Sequence, residues 1–293
     1  MTWKRVLTAA VLVPTVTALV LLGSTGALAV GVAAAMLAAL FEYFALGAEI
    51  GQRAYRFWTA TCALLLVYVQ WLSAAYVRGY PLTREITVYE PIRGYFLSRP
   101  PELSDVFFVF VIGVCLISIF TRRPVVEGLP SAGISASGFL LVAFPLSFAI
   151  RLHGAGQYGP RLLLFALVIV WVGDTLAYFV GRGIGRIKLA PKLSPQKTWE
   201  GTVASLVGSL LVGLVFTKWI PIETKHLLGM AAAGNVAGQL GDLLESAYKR
   251  SAGVKDSGSL LPGHGGVLDR IDALILAVPV VWYYWHSVFA RLD

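Results

Sequence analysis

Charged side chains are scarce in this chain of 293 residues, at 14% of the total, whereas a soluble domain usually carries about 25%. Hydrophobic residues make up 57% of the sequence, and the mean hydropathy is +0.73. A chain so poor in charge does not have enough polar surface for a water-soluble domain. We therefore predict an all-α polytopic integral membrane protein.

Cysteine and histidine are also rare, with two and four residues. Cys62 and Cys115 both lie inside apolar stretches, so they indicate neither a disulfide framework nor a metal site. The serines lack a Ser–His–Asp arrangement, and nothing suggests covalent catalysis. No basic run with interleaved aromatic residues is present, so the net charge of +8 indicates contact with anionic lipid headgroups and no nucleic-acid partner.

Apolar segments of bilayer-crossing length recur along the whole chain. A transmembrane helix needs about 20 mostly apolar residues, and this template predicts about nine spans. We interpret residues 1–150 as an N-terminal transmembrane region and 151–293 as a C-terminal catalytic region. The longest polar connection, 77–103, predicts an irregular external loop. The predicted spans are 6–22, 27–46, 57–76, 105–121, 132–150, 161–181, 202–220, 226–247 and 268–289.

The distribution of lysine and arginine predicts the orientation of these spans. With the N-terminus in the cytoplasm, most of the 24 basic residues lie on the cytoplasmic side. This side then includes the two polar loops 182–201 and 248–267. The pattern predicts a multi-pass protein of the cytoplasmic (inner) cell membrane, with a polar cavity that opens to the cytoplasm.

A first polar element lies around Asp174, in the middle of an apolar run. Asp174 and Tyr178 are four residues apart, so they share one helix face. An unpaired carboxylate in a span would cost about 2.5–3.5 kcal/mol, so Asp174 must face protein, water or an ion. The structural alternative is that it pairs with a buried Arg, Lys or Tyr.

A second polar element, 192–201, lies just before a span and contains Ser194, Lys197 and Thr198. Its Ser-Pro pair predicts a turn. Backbone N–H groups at the N-terminus of the following helix favour an anion there. The alternative is an ordinary positive flank of a span, with Trp199 as an interface anchor.

A third polar element begins inside a span. Asn235, Gln239, Asp242 and Ser246 recur at spacings of four, three and four, which predicts one polar stripe on a helix. A neighbouring stripe of small residues allows close helix packing and permits, without requiring, a homodimer. The members of this second stripe are Gly234, Gly238 and Gly241.

Acidic residues lie on both sides of the glycine-rich loop that follows. Asp242 lies near the end of one helix, and Asp269 and Asp272 begin the next. Two acidic helix ends joined by such a loop can converge on Mg²⁺, which is typically held by one or two carboxylates plus substrate phosphates. The alternative for the later pair is that it complements the helix dipole.

The same loop is rich in cations and glycines, which suit phosphate groups and close backbone approach. His264 has no second histidine at metal-ligand spacing, so a structural role and a substrate contact both stay open for it. The combination indicates phosphoryl or nucleotidyl transfer, with a soluble nucleotide and a lipid as substrates. The residues are Lys249, Arg250, Lys255, His264, Gly265, Gly266 and Arg270.

The run from Ser246 to Asp272 closely resembles the signature of phosphatidate cytidylyltransferases, also called CDP-diacylglycerol synthases. Tyr248 stands where that family usually has an aliphatic residue or Phe, which is a mild departure. The segments around Asp174, 194–201 and Gly241-Asp242 also resemble family elements. The matching pattern is Ser246-x-x-Lys249-Arg250-x₄-Lys255-Asp256-x-Gly258-x₂-Leu261-Pro262-x-His264-Gly265-Gly266-x₂-Asp269-Arg270-x-Asp272.

The resemblance implies that the cytidylyl group of CTP is transferred to phosphatidate. The products would be CDP-diacylglycerol and pyrophosphate, for phospholipid biosynthesis. It also implies Mg²⁺ bound by Asp242 and Asp269, which act as catalytic residues together with Lys249 and Lys255, and it leaves K⁺ open as a second cation. The substrate-binding residues that it implies are Asp174, Ser194, Lys197, Thr198, Arg250, His264, Gly265, Gly266 and Arg270.

Three competing interpretations stay open. A transporter or channel would use Asp174, Asn235 and Asp242 as an ion path, but the N-terminal half lacks the matching repeat that many transporters show. A related enzyme would use CTP on a different lipid, such as an isoprenoid-chain phosphate or an ether lipid. A catalytically silent membrane scaffold is the third.

Overall fold

Helices dominate the structure, a computed structural model that describes residues 2–77, 101–260 and 265–289. Helices suit a bilayer because each satisfies its backbone polar groups internally. One of them, α5, consists of three consecutive segments, Gly128–Gly138, a wider π-helical turn over Phe139–Ala143, and Phe144–His153. The others are α1 (Thr2–Leu22), α2 (Thr25–Glu49), α3 (Arg56–Val77), α4 (Leu103–Phe120), α6 (Gly159–Gly183), α7 (Trp199–Phe216), α8 (Thr224–Ser251) and α9 (Leu268–Phe289).

Each predicted span coincides with one of these helices, and the prediction of an all-α membrane protein is confirmed. Within the described ranges, seven helices are long and apolar enough to cross a membrane. Helix α1 supplies only a shorter apolar segment, Ala10–Leu22. Helix α8 is long enough to cross a membrane, but its polar stripe makes it less apolar than the seven. The count of nine spans therefore stays a prediction, and most of the predicted external loop 77–103 lies outside the described residues.

A small β-hairpin occupies the loop between α6 and α7, where the sequence predicted only a turn. Its strands are β1 (Lys188–Ala190) and β2 (Ser194–Thr198), paired antiparallel with Lys188 opposite Thr198 and Ala190 opposite Ser194. The backbone N–H of Trp199 donates to the carbonyl of Ile187 at 2.9 Å. The hairpin thus delivers the chain directly into the first turn of α7.

The glycine stripe of α8 lies against other helices of the same chain. A Cβ added at Gly241 would lie 2.5 Å from the carbonyl oxygen of Asp272 in α9. A Cβ at Gly234 would lie 2.7 Å from Cδ1 of Ile169 in α6. These close approaches use the stripe for packing within one chain, so it supplies no argument for a homodimer.

The predicted polar stripe of α8 is confirmed, and its first half joins α8 to α7. Asn235 Nδ2 donates to Ser205 Oγ and to Ser209 Oγ, both at 2.8 Å. Gln239 Nε2 in turn donates to Asn235 Oδ1 at 2.7 Å. Buried polar groups need such partners in an apolar setting. The second half of the stripe, Asp242 and Ser246, continues toward the loop that follows α8.

The N-terminal helices support the start of α9. One apolar core joins α2, α3, α4 and α5 with Leu268 and Ile275 of α9. The ring of Tyr43 in α2 meets the ring of Tyr248 in α8 edge to face, with centroids 5.5 Å apart. Helix α2 is therefore fixed against both helices that flank the glycine-rich loop.

The tight approach of α8 to α9 predicts that Gly241→Ala destabilises the protein. The added methyl group would press on the backbone of α9, and overpacking of this kind costs about 1–3 kcal/mol. We expect a lower midpoint of thermal unfolding in detergent. The matched control is Gly133→Ala, a helical glycine with no atom within 4 Å of its added Cβ. Equal midpoints for the two variants would contradict the close packing of α8 on α9.

Candidate active site

Several helix ends meet on one face of the bundle. These are the C-terminal ends of α2, α6 and α8 and the N-terminal ends of α7 and α9. The contacts that join them include Glu42 with the backbone of Val267, Lys197 with Asp242, and Arg250 with the carbonyl of Leu193. The second and third polar elements of the sequence are thereby brought together in one site.

Asp269 is the most fully bound acidic side chain of this site. Its Oδ1 accepts a hydrogen bond of 2.6 Å from Lys249 Nζ. Its Oδ2 accepts from the backbone N–H of Gly266 at 2.8 Å and from both the N–H and the hydroxyl of Ser257 at 3.0 Å. The side chain is 5% exposed. Charge-assisted hydrogen bonds of this kind fix a buried carboxylate strongly, so Asp269 has one defined orientation.

The glycines before Asp269 leave room for carboxylates. Gly265 has a φ of +79°, which favours glycine, and its added Cβ would lie 2.6 Å from Asp269 Oδ2. An added Cβ at Gly266 would collide with Glu42 Oε2 and with Ser257 Oγ. The close approach predicted for these glycines is present, and in the structure it serves Asp269 and Glu42. Their contact with a substrate stays a prediction.

Glu42 is a member of this site that the predicted site residues do not include. Its Oε1 accepts from the N–H of Val267 at 3.0 Å, and its Oε2 accepts from the N–H of Leu268 at 2.8 Å. The hydroxyl oxygen of Ser257 lies 3.1 Å from the same Oε2, so its one hydrogen serves either Glu42 or Asp269. The one available signal was an acidic residue near the end of an apolar span, which needs a partner.

Lys249 lies between two carboxylates. It contacts Asp269 and also Glu245, one turn earlier on α8. The side chain of Glu245 is only 4% exposed, and its Oε1 has no hydrogen-bond partner in the described part of the chain. Glu245 is a second residue that the predicted site does not include, although its position near the end of α8 is evident from the sequence. In this state Lys249 neutralises buried acids, and its predicted catalytic role stays a prediction.

Asp242 lies among several other charged side chains. Lys197 Nζ lies 2.6 Å from Asp242 Oδ2, so the hairpin and α8 are joined by an ion pair. Asp174 interacts electrostatically with Asp242, Lys197 and Arg270, and Asp272 interacts with Asp242 and Asp174. Asp174 therefore belongs to the same site as the loop, and acids outnumber cations among these residues.

Thr198 and Ser194 have structural positions in the hairpin. Thr198 is buried, and its Oγ1 accepts from the N–H of Gly201 at 3.2 Å, which caps α7. Capping of this kind satisfies a helix N–H that lacks an intrahelical partner. The predicted helix N-terminus at this point is confirmed. Ser194 begins β2 opposite Ala190, and substrate binding by either residue stays a prediction.

Arg250 ties the hairpin to the end of α8. Its Nε donates to the carbonyl of Leu193 at 3.3 Å, and its Nη1 donates to the carbonyl of Val254 at 3.2 Å. Lys255 is exposed on the loop that follows α8, and Arg270 is exposed at the start of α9. His264 lies outside the described residues, so its two interpretations stay open.

The acidic residues fit Mg²⁺ only together with a phosphate-bearing ligand. Among residues 2–77, 101–260 and 265–289, no three His, Cys, Asp or Glu side chains are placed to hold a metal ion. The two predicted ligands, Asp242 and Asp269, each contact a lysine ammonium at 2.6 Å. Mg²⁺ is usually held by one or two carboxylates plus substrate phosphates, and this donor set suits that arrangement. Mg²⁺ and K⁺ both stay predictions.

Comparison with known proteins gives consistent matches. The model of the cytidylyltransferase family matches residues 3–288. A phosphatidate cytidylyltransferase of Brucella abortus is 38% identical over 192 residues, which are 63% of this chain and 66% of the relative. Proteins of the same name from Haemophilus influenzae and Bacillus subtilis are 44% identical over 137 residues and 42% identical over 138 residues. These two alignments span 45% and 46% of this chain and about half of each relative, at 48% and 51%.

The position of Ser257 predicts that Ser257→Ala destabilises the protein. The substitution removes a buried hydroxyl that lies between two carboxylates, and hydrogen bonds to charged groups contribute about 1.5–3 kcal/mol. We expect a lower midpoint of thermal unfolding in detergent. Ser251→Ala is the control, because its exposed hydroxyl donates to the carbonyl of Ala247 in its own helix. A midpoint equal to that of Ser251→Ala would refute this role of Ser257.

Proposed function

The chain belongs to the cytidylyltransferase family, and we propose that it transfers the cytidylyl group of CTP to phosphatidate. The products are CDP-diacylglycerol and pyrophosphate, which serve phospholipid biosynthesis. The observation that carries the proposal is the convergence of Asp269, Lys249 and the Lys197–Asp242 pair on one face of a membrane bundle. The names of the relatives support the choice of substrates.

The reaction needs charge neutralisation more than a protein nucleophile. An oxygen of the phosphatidate phosphate attacks the α-phosphorus of CTP and forms a new P–O bond. The bond from the α-phosphorus to the bridging oxygen breaks, and pyrophosphate leaves with the bond electrons. Such transfers depend on in-line positioning and on cations around the phosphates. The cations that we assign to this role are Lys197, Lys249, Arg250, Lys255 and Arg270.

Lys197 is suited to exchange partners when CTP binds. Its ion pair with Asp242 is partly exposed, at 24% for the lysine and 31% for the aspartate. This pair is more open than the Lys249–Asp269 pair, whose side chains are 13% and 5% exposed, so a phosphate oxygen can reach Lys197 and replace the carboxylate. We assign Lys197 to the triphosphate, which leaves Asp242 free to bind a cation.

Asp242 and Asp269 are the residues that would hold Mg²⁺. When bound, the ion would supply positive charge to the phosphates and stabilise the leaving pyrophosphate. The protein keeps Asp269 in a fixed orientation through Ser257 and Gly266. Preorganised groups of this kind lower the barrier because they do not reorganise during the reaction.

The lipid substrate is expected to reach the site from the bilayer. Tyr178 and Phe179 lie one turn after Asp174 on α6 and are 56% and 65% exposed. An exposed aromatic surface beside a charged site suits a ligand with a phosphate headgroup and acyl chains. The positive-inside distribution supports a site on the cytoplasmic side of the membrane, where CTP is available.

The role of Asp269 predicts that Asp269→Asn abolishes turnover while the protein still folds. Loss of one preorganised electrostatic group costs about 100- to 1,000-fold in kcat. The measurement is conversion of labelled CTP to labelled CDP-diacylglycerol by detergent-solubilised protein with phosphatidate and Mg²⁺. Glu223→Gln is the control, because Glu223 is exposed and paired with Lys225.

Near-normal turnover by Asp269→Asn would refute the assignment of this residue. Product from an isoprenoid-chain phosphate, with none from phosphatidate, would identify the chain as a related CTP-dependent enzyme. A folded wild-type protein that gives no product from any lipid phosphate would refute the proposed function.

The expected need for Mg²⁺ predicts that a chelator stops turnover and that added Mg²⁺ restores it. Asp242→Asn should raise the Mg²⁺ concentration for half-maximal activity by about 10- to 100-fold, a range typical of weakened metal sites. The measurement is a Mg²⁺ titration at saturating CTP, with Glu223→Gln as the control. Full turnover in excess chelator would show that the reaction proceeds without the ion.

A further inference from the structure

We propose that Glu42 of α2 is a positioning residue that holds the glycine-rich loop and the start of α9, and thereby orients Asp269. This inference rests on the proposed function, since it assigns Asp269 to the reaction centre. Glu42 lies far from the loop in sequence, in the N-terminal half that carries no part of the signature. Its effect on the reaction would pass through the loop, without contact with substrate.

The carboxylate of Glu42 binds the first backbone amides of α9. Helix α9 begins at Leu268, whose N–H donates to Glu42 Oε2 at 2.8 Å, and the preceding N–H of Val267 donates to Oε1 at 3.0 Å. The first N–H groups of a helix lack intrahelical acceptors, and a negative charge there is favourable. Glu42 thus acts as an N-terminal cap supplied by another helix.

Asp269 is the second residue of the same helix, and both carboxylates share one hydroxyl group. Ser257 Oγ lies 3.1 Å from Glu42 Oε2 and 3.0 Å from Asp269 Oδ2. The single hydroxyl hydrogen donates to one of them at a time. The position of Asp269 is therefore coupled to that of Glu42 through Ser257 as well as through the backbone.

Two glycines of the loop leave space for Glu42. An added Cβ at Gly258 would lie 2.8 Å from Glu42 Oε1, and one at Gly266 would collide with Oε2. Both glycines belong to the loop that carries the signature, and both lie against the Glu42 carboxylate. The packing of Tyr43 on Tyr248 holds the adjacent turn of α2 in place.

Glu42→Gln tests the proposal because it keeps the side-chain volume and changes the acceptors. The amide has one acceptor oxygen, so its NH₂ group would face the N–H of Val267 or of Leu268. The control is Glu49→Gln, an exposed glutamate on the same helix. The measurements are kcat and KM for CTP, the thermal unfolding midpoint, and hydrogen exchange of the peptide that covers 265–272.

We expect kcat of Glu42→Gln to fall by about 10- to 100-fold, as a small displacement of a reacting group does. KM for CTP should stay within about twofold of the control, because an interaction realised in the transition state is lost. Exchange of the amides of Val267 and Leu268 should be faster than in Glu49→Gln. The unfolding midpoint should fall, as for Ser257→Ala, because hydrogen bonds to a charged group are lost, so kcat is compared at a temperature well below both midpoints.

A kcat equal to that of Glu49→Gln, unchanged exchange, or a rise in KM alone would each overturn the proposal. The exchange experiment needs no turnover. An inactive wild-type protein would therefore refute the proposed function, while the exchange rates would still show whether Glu42 anchors the loop. If Glu42→Gln does not fold, Gly258→Ala displaces the same carboxylate from the loop side. It should show the same loss of kcat and the same faster exchange, and normal values for both would overturn the proposal.

Discussion

A buried carboxylate is the constraint on which the rest of the site depends. Asp269 is almost fully enclosed and is held by Lys249, Ser257 and Gly266. A buried charge without such partners would cost several kcal/mol, so the loop must bring its N–H groups to this one side chain. The glycine at Gly266 and the ion pair with Lys249 of α8 both meet that requirement.

The N-terminal helices are part of the same arrangement. Helix α2 brings Glu42 to the first amides of α9, and the apolar core of α2, α3, α4 and α5 packs on Leu268 and Ile275. The hairpin before α7 brings Lys197 to Asp242 from the opposite side. The candidate site is thus assembled from helix ends that are distant in sequence and meet on one face of the bundle.

The grouping of Asp174 with Asp242 and Asp269 was implied by the family resemblance. Local spacing was sufficient to predict the helices and the polar stripe of α8. These features depend on periodicity and on residues that lie close in sequence. Glu42 and the hairpin could not be predicted in this way. The partners of Glu42 come from the other end of the chain, and β1 and β2 are too short to show an alternating pattern. The position of Glu245 near the end of α8 is evident from the sequence, but its burial depends on how α8 packs. The role of the α8 glycines likewise required the structure, because small residues suit contacts within a chain and between chains equally.

We propose that a triphosphate binds where Asp269, Lys249 and the Lys197–Asp242 pair converge. The most direct test is an experimental structure of the protein in lipid with Mg²⁺ and a CTP analogue that carries a methylene group between its α- and β-phosphorus atoms. We predict density for the triphosphate beside Lys197 and for a cation held by Asp242, Asp269 and the phosphates, with the loop still anchored on Glu42. A nucleotide bound elsewhere on the chain, with the Lys197–Asp242 pair intact, would contradict the account.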